Sequence, residues 1–413
     1  MNKAYPALLA TLLFAVTAVA ADQDWLYYGG DQGGRHFSSI DQISTDNVTD
    51  LEVAWVSRSG DMQTYGEELA MTATQSTPIL LPVEAGESLV YCTPFNRVIA
   101  LDPATGKQRW SFDPQIKRGG NRAFRCRGVS YSEETRVVVG DACRYRIFNS
   151  TQDRTLIALD ALDGKPCQSF GNNGEVKLDP KSQNKPGKVA SSAAPVIANG
   201  IVVVGSTIED FAHSKSPRGT VKALSSLDGS LLWEFDPLLD NESSGSANVW
   251  SQMSIDEENQ LVFLPTSAPS PDYYGKARPG DNLYANSIVA LDLNTGAVRW
   301  HFQHVHHDLW DFDSPAQPIL FDWKKDGKTI PAVVLLTKQS LVFVFNRLTG
   351  EPLWEINERP APPSLIPGES ASSTQPWPVA PPPLLDAFLM PDQAWGIASF
   401  EEMDCADQIA GLN

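Results

Sequence analysis

Ala100-Leu101-Asp102-Pro103-Ala104-Thr105-Gly106-Lys107-Gln108-Arg109-Trp110 closes an apolar run and decides the fold, because the chain repeats it. The pattern returns as Ala290-Leu291-Asp292 with Thr295-Gly296 and Trp300, and as Val344-Phe345-Asn346 with Thr349-Gly350 and Trp354. Looser copies are Ala158-Leu159-Asp160 with Asp163-Gly164 and Phe170, and Ala223-Leu224 with Asp228-Gly229 and Trp233. In each unit an apolar strand ends in a turn whose glycine takes positive φ, and the chain returns as a strand ending in an aromatic ring. Trp55, in Leu51-Glu52-Val53-Ala54-Trp55, ends a further copy.

The rings at 55, 110, 170, 233, 300 and 354 lie 54 to 67 residues apart. That spacing holds one four-stranded sheet per repeat. Further β-type runs fall between copies: Val137-Val138-Val139, Ile201-Val202-Val203-Val204, Leu261-Val262-Phe263-Leu264 and Val333-Val334-Leu335-Leu336. The expected fold is all-β, a β-propeller, with a β-sandwich of similar hairpins as the alternative. Between Glu358 and Pro391 the prolines at 360, 362, 363, 367, 376, 378 and 381–383 cannot donate to a ladder, which predicts an extended loop. Trp395-Gly396-Ile397-Ala398-Ser399-Phe400 then predicts a strand.

With 413 residues, 42% hydrophobic and 20% charged, the chain is long and apolar enough to bury a large core. Its net charge of −18 argues against nucleic acid or an anionic membrane as the main partner. Lys3, the apolar run Ala7 to Val19 and the small-residue box Ala18-Val19-Ala20 read as an export signal over residues 1–20. That predicts a periplasmic protein, with one propeller domain over 21–413. The run is too short for a comfortable membrane span. Of the five cysteines, Cys92, Cys126, Cys143, Cys167 and Cys405, none forms a CxxC pair, so zinc and iron–sulfur sites are not expected. Export permits disulfides, and Cys126 with Cys143 is the expected pair, across one hairpin. The odd count leaves at least one free thiol.

His304-Val305-His306-His307-Asp308-Leu309-Trp310-Asp311-Phe312-Asp313 places three histidines, three aspartates and a tryptophan in ten positions. A site that removes a proton and a hydride needs a carboxylate base, polar orienters and a rigid aromatic wall. A solvated loop with its tryptophan plugged into the core is the plainer reading.

With the repeats and this stretch together, the chain resembles the pyrroloquinoline quinone (PQQ) dependent dehydrogenases, in particular the membrane glucose, quinate and shikimate branch of these eight-bladed propellers. The matching motifs are Trp25-Leu26-Tyr27-Tyr28-Gly29-Gly30, Cys126-Arg127-Gly128-Val129-Ser130-Tyr131, Tyr284-Ala285-Asn286-Ser287-Ile288-Val289-Ala290-Leu291 and His306-His307-Asp308-Leu309-Trp310-Asp311. The resemblance implies Asp311 as the base that takes the substrate hydroxyl proton while hydride passes to the quinone. It implies Lys338 as the cation at the quinone oxygens, Trp250 as the floor beneath the cofactor, and Arg127 and His307 as further cofactor contacts. Glu209 and Asp210 would hold calcium or magnesium, whose oxygen chemistry suits such ligands.

The sequence departs from the pattern at Ala123, where the glucose enzymes carry a histidine; the expected signal over residues 1–20 leads straight into the repeats, where those enzymes begin with membrane helices, and the adjacent Cys-Cys pair of the PQQ alcohol dehydrogenases is not present. The family pattern runs on past Asn413, so about five to six blades are expected here. The implied function is oxidation of a sugar or cyclic polyol, with electrons passed to a quinone or another acceptor and peripheral membrane association left open. Two alternatives remain: a scaffold of similar repeats without catalysis, and an inactive, truncated dehydrogenase.

Overall fold

The Asp-x-x-Thr-Gly turn folds as its side chains require. Asp102 Oδ1 accepts from the Thr105 backbone N–H at 2.9 Å and its hydroxyl at 2.8 Å, while Gly106 N–H donates to Asp102 O at 2.8 Å. Asp292, Thr295 and Gly296 repeat these bonds. The strand before the turn bulges at Ala100/Leu101, and again at Ala223/Leu224 and Ala290/Leu291. The recurrence is therefore one of hydrogen bonding as well as composition.

The computed structural model describes residues 25–66, 72–116, 124–179, 189–210, 216–239, 244–385, 390–396 and 398–412. The expected leader and Ala123 lie outside them. Blade 1 comprises Ile79–Leu80, Leu89–Cys92, Val98–Leu101 and Gln108–Phe112. Blade 2 comprises Ser130–Glu133, Tyr145–Ser150, Thr155–Asp160 and Glu175–Lys177. Blade 3 comprises Val196–Ala198, Ile201–Val204, Val221–Ser225 and Leu231–Phe235. Blade 4 comprises Ser254–Asp256, Leu261–Pro265, Ser287–Asp292 and Val298–Gln303. Ile319–Lys325, Lys328–Leu336 and Val342–Asn346 form a three-stranded fifth sheet. Pairing within every blade is antiparallel. Among the described residues no helix is long and apolar enough to cross a membrane.

The core lies between blades. Val90, Val98 and Ala100 of blade 1 pack with Ile147, Ile157 and Leu159 of blade 2. The opposite face of that blade, with Phe148, Leu156 and Ala158, packs on Val202, Val204 and Leu224 of blade 3. Alternation along a strand thus sends neighbouring residues into different cores. Each fully buried aliphatic side chain contributes about 1.5–3 kcal/mol.

An aromatic dock joins each blade to the next. Trp55, Trp110, Trp233 and Trp300 donate Nε1–H to the carbonyls of Pro103, Ala161, Leu293 and Arg347, at 2.8 to 3.1 Å. Each acceptor directly follows the Asp or Asn that opens a turn. The indoles lie on Gly106, Gly164, Gly296 and Gly350, and Phe170 lies on Gly229. Across the axis, Gln32 Nε2 donates to Ile197 O (3.1 Å), Gln32 O accepts from Ile255 N–H (3.0 Å), and Gly33 O accepts from Leu320 N–H (2.8 Å). One segment near Tyr27-Tyr28 therefore ties blades 3, 4 and 5 together.

Four expectations need correction. The disulfides are Cys92–Cys126 and Cys143–Cys167, leaving Cys405 free. Cys126 ends the strand Phe124–Cys126, which lies beside blade 1 rather than in a hairpin with Cys143. Val137–Val139 is a turn, with Val138 and Val139 exposed, because Glu134, Arg136 and Arg144 bond locally around it. Residues 395–396 are irregular and Ser399–Leu412 is a helix, not a strand; Ile397 lies outside the described residues. Within the proline-rich stretch, Ile356–Pro360 pairs with Thr374–Pro378. Pro376 and Pro378 sit two apart, so their missing donors fall on the open edge of a two-stranded ribbon.

Gly296 has φ +70°, and a Cβ there would meet the Trp233 ring at 2.7 Å; Gly327 has φ +73° and open space. Alanine at Gly327 incurs only the left-handed penalty, about 1–2 kcal/mol. Alanine at Gly296 should cost a further ~1–3 kcal/mol from overpacking. Urea unfolding midpoints compare the two variants, and equal losses would contradict the dock.

Candidate active site

In an antiparallel four-stranded blade, the loop between strands two and three and the crossover to the next blade leave from the same edge. Arg127, Trp250, Asp311 and Asp313 lie on crossovers, and Lys338 lies on the second-to-third connection of blade 5. Topology alone brings these residues, up to 211 positions apart in sequence, to one face.

There they form a continuous chain of contacts. Lys338 Nζ donates to Asp311 O at 2.8 Å, Asp311 Oδ2 at 3.2 Å and Asp313 Oδ2 at 3.2 Å. Asp313 also accepts from Trp250 Nε1–H at 3.0 Å and from Ala268 N–H at 2.7 Å. The Arg127 guanidinium lies 5.1 Å from the centre of the Trp250 ring, a cation–π distance. Its Nη1 donates to Ser192 Oγ at 2.6 Å and to Trp250 O at 3.3 Å. The indole is thus held at its nitrogen by a carboxylate and faced by a cation.

Burial and the neighbouring Asp313 charge push Asp311 up to about 7, with a smaller push from Asp272. Lys338 opposes this, but three oxygens share its ammonium, so it does not neutralise Asp311 alone. Burial pulls the Lys338 ammonium down, yet Asp313 and Asp311 outweigh it and raise its pKa above the ordinary lysine value. A carboxylate poised near neutrality beside a firmly charged ammonium has the properties of a general base.

Asp311, Lys338, Trp250 and Arg127, expected from the sequence, thus come together. His307 does not join them: its Nδ1–H donates to Gly280 O at 2.6 Å and its ring packs on Gly275. His304 is fully buried, bonds Ser314 Oγ at 2.7 Å, and is pulled by burial down to about 3, so its ring stays neutral. His306 sits between Gln303 and Glu358, and its backbone exchanges two hydrogen bonds with the Gln375 side chain. The proline-rich ribbon therefore straps the loop that carries Asp311. Glu209 and Asp210 occupy the second-to-third connection of blade 3, on the same face. Among the described residues no three His, Cys, Asp or Glu side chains converge as a metal cage. Sequence reasoning gave Asp313 no role, and its place in a dense Asp/His run was the only signal.

The chain matches, over residues 25–413, the PQQ family described as glucose/ethanol/alcohol dehydrogenase, beta-propeller domain. It is 35% identical to the glycerol dehydrogenase large subunit of Gluconobacter thailandicus, covering 94% of this chain and 54% of that protein. It is 35% identical to the quinate/shikimate dehydrogenase (quinone) of Acinetobacter baylyi, covering 92% and 50%. Identity to the quinoprotein glucose dehydrogenase of Escherichia coli is 35%, covering 96% and 51%. Among solved structures, quinohemoprotein alcohol dehydrogenase from Comamonas testosteroni aligns with a TM-score of 0.66 at 26% identity, over 87% of this chain and 52% of that one. The chain spans about half the length of the curated relatives it matches.

Asp313→Asn removes the charge that raises Asp311 and sets an amide N–H₂ against the site's donors. The Asp311 titration midpoint should fall from about 7 toward the ordinary carboxylate range. Carboxyl-carbon NMR of labelled aspartate checks this, and an unmoved midpoint would contradict the coupling.

Proposed function

The chain belongs to the PQQ-dependent dehydrogenase β-propeller family, and from that premise we propose that it carries the reacting half of an alcohol-oxidising site for a sugar or cyclic polyol. The observation that carries this reading is the Asp311–Lys338 pair, held against Asp313 and Trp250. The donor set fits a planar, anionic quinone: a flat indole face, a guanidinium suited to carboxylates and an ammonium suited to carbonyl oxygens. When bound, PQQ supplies a two-electron acceptor for hydride.

Asp311 takes the hydroxyl proton, which makes the adjacent carbon a hydride donor. Lys338 keeps positive charge where negative charge grows, in a site with three of its members partly or largely shielded from water. Trp250 and Arg127 supply binding surface, and Asp313 fixes both the indole and the ammonium. Glu209 and Asp210 are the proposed protein ligands of a calcium or magnesium ion, two carboxylates of the larger oxygen set that either ion requires. The named substrates of the relatives, glycerol, quinate or shikimate and glucose, share hydroxyl-bearing carbons. We place the protein in the periplasm on the strength of the leader-like residues 1–20, with a quinone as electron acceptor and peripheral membrane contact as part of the same reading. A non-catalytic scaffold has no use for an Asp311–Lys338 pair set beside an indole face and a guanidinium, which favours the enzyme.

Because Asp311 acts deprotonated, turnover should rise with pH through about 7. Asp311→Asn should lower dye-linked turnover by at least ~10²-fold while PQQ affinity stays within a few-fold. Steady-state assays paired with cofactor titration decide the matter, since substantial residual turnover in this variant would remove Asp311 from the chemistry.

A further inference from the structure

Asp311 has a backbone φ of +59°, a left-handed conformation that aspartate tolerates better than most side chains but that is uncommon outside glycine. Residues 308–313 form no regular secondary structure, so no ladder does the holding. One buried carboxylate does instead. Asp308, 1% exposed, accepts from Trp310 N–H at 2.9 Å through Oδ1 and from Phe312 N–H at 2.8 Å through Oδ2. These are the amides on either side of Asp311.

Asn286 reinforces the arrangement. Its Nδ2 donates to Asp308 Oδ2 at 2.8 Å and to Phe312 O at 3.0 Å, so both polar groups of the Phe312 backbone are fixed. Asn286 is itself anchored, with its N–H on Ser267 O and its carbonyl accepting from His304 N–H. Fully buried Arg278 donates to the backbone carbonyls of Asp308, Pro271 and Asp272 and to Asn282 Oδ1. The loop that offers Asp311 to Lys338 is therefore pinned from within.

We propose that Asp308, supported by Asn286, is the positioning residue that holds the Asp311 carboxyl in its half-buried place against Lys338. The proposal rests on Asp311 as the base. It predicts that loosening the clamp lets water reach Asp311 and alters its proton affinity while the cofactor surface of Trp250 and Arg127 stays intact. The groups facing Asp311 are Asp313, Lys338 and Asp272, and none of them is changed by the test.

Asp308→Asn keeps the shape of the side chain but turns one oxygen into a donor. In either orientation that donor opposes a backbone N–H, so at least one flanking amide is released. Asn286→Gly is the second variant: its φ of +47° suits glycine, and it removes the amide donor while leaving the Asp308 side chain and its two backbone partners in place. The first readout is the Asp311 carboxyl-carbon titration in the cofactor-free protein, assigned by loss of the signal in Asp311→Asn. Both variants should lower its midpoint by roughly one pH unit or more, as hydration replaces burial. Turnover should fall ~10-fold or more in Asp308→Asn, with KM and PQQ affinity within a few-fold. An unshifted midpoint in both variants would overturn the proposal, and so would loss of PQQ binding in step with turnover, since that marks a purely structural role. If Asp308→Asn does not fold, the midpoint of Asn286→Gly decides alone. Full turnover in Asp311→Asn would instead refute the base assignment, a separate failure.

Discussion

An indole can lie flat on a turn only if the residue beneath it has no Cβ, and the architecture of this protein follows from that exclusion. Trp233 on Gly296 and Trp300 on Gly350 leave no room for a side chain, and each indole nitrogen is committed to a carbonyl of the same turn. Such a dock fixes distance and angle between neighbouring sheets together. Apolar burial alone is non-directional and would not set the angle. The inter-blade cores fill the space that the docks define, and the segment around Gln32 closes it along the axis.

Fixed blades give fixed loop origins, and the site is assembled from them. Arg127, Trp250, Asp313 and Lys338 come from four separate connections, yet they touch in series. Asp313 is the hub: one carboxylate holds an indole N–H, a backbone N–H and an ammonium. Its charge also raises Asp311. Structural and chemical roles therefore reside in a single side chain. The strap formed by Ile356–Pro360 and Thr374–Pro378 adds a further hold through Gln375 and His306.

The blades were legible in the sequence because the dock demands a repeated chemistry: an Asp or Asn, a glycine and a following aromatic ring. Asp311, Lys338, Trp250 and Arg127 were legible through the family motifs. The disulfide partners were not, because Cys92 ends a strand of blade 1 while Cys126, 34 residues on, ends a strand that pairs in parallel with Thr72–Thr74, and neither placement leaves a local pattern. Val137–Val139 has strand composition, but flanking charged groups satisfy that backbone locally and no sheet recruits it. His307 has the right residue type in the right motif and yet turns toward Gly280. Its orientation depends on a backbone φ of +44° that composition does not encode.

The central claim is that these loops form a cofactor surface joined to a base. It is tested most directly by titrating the protein with PQQ, with and without calcium, while following tryptophan fluorescence. Saturable quenching at about one equivalent, strengthened by calcium and lost when Trp250 is replaced by leucine, is the predicted result. Absence of saturable quenching at any calcium concentration would contradict it.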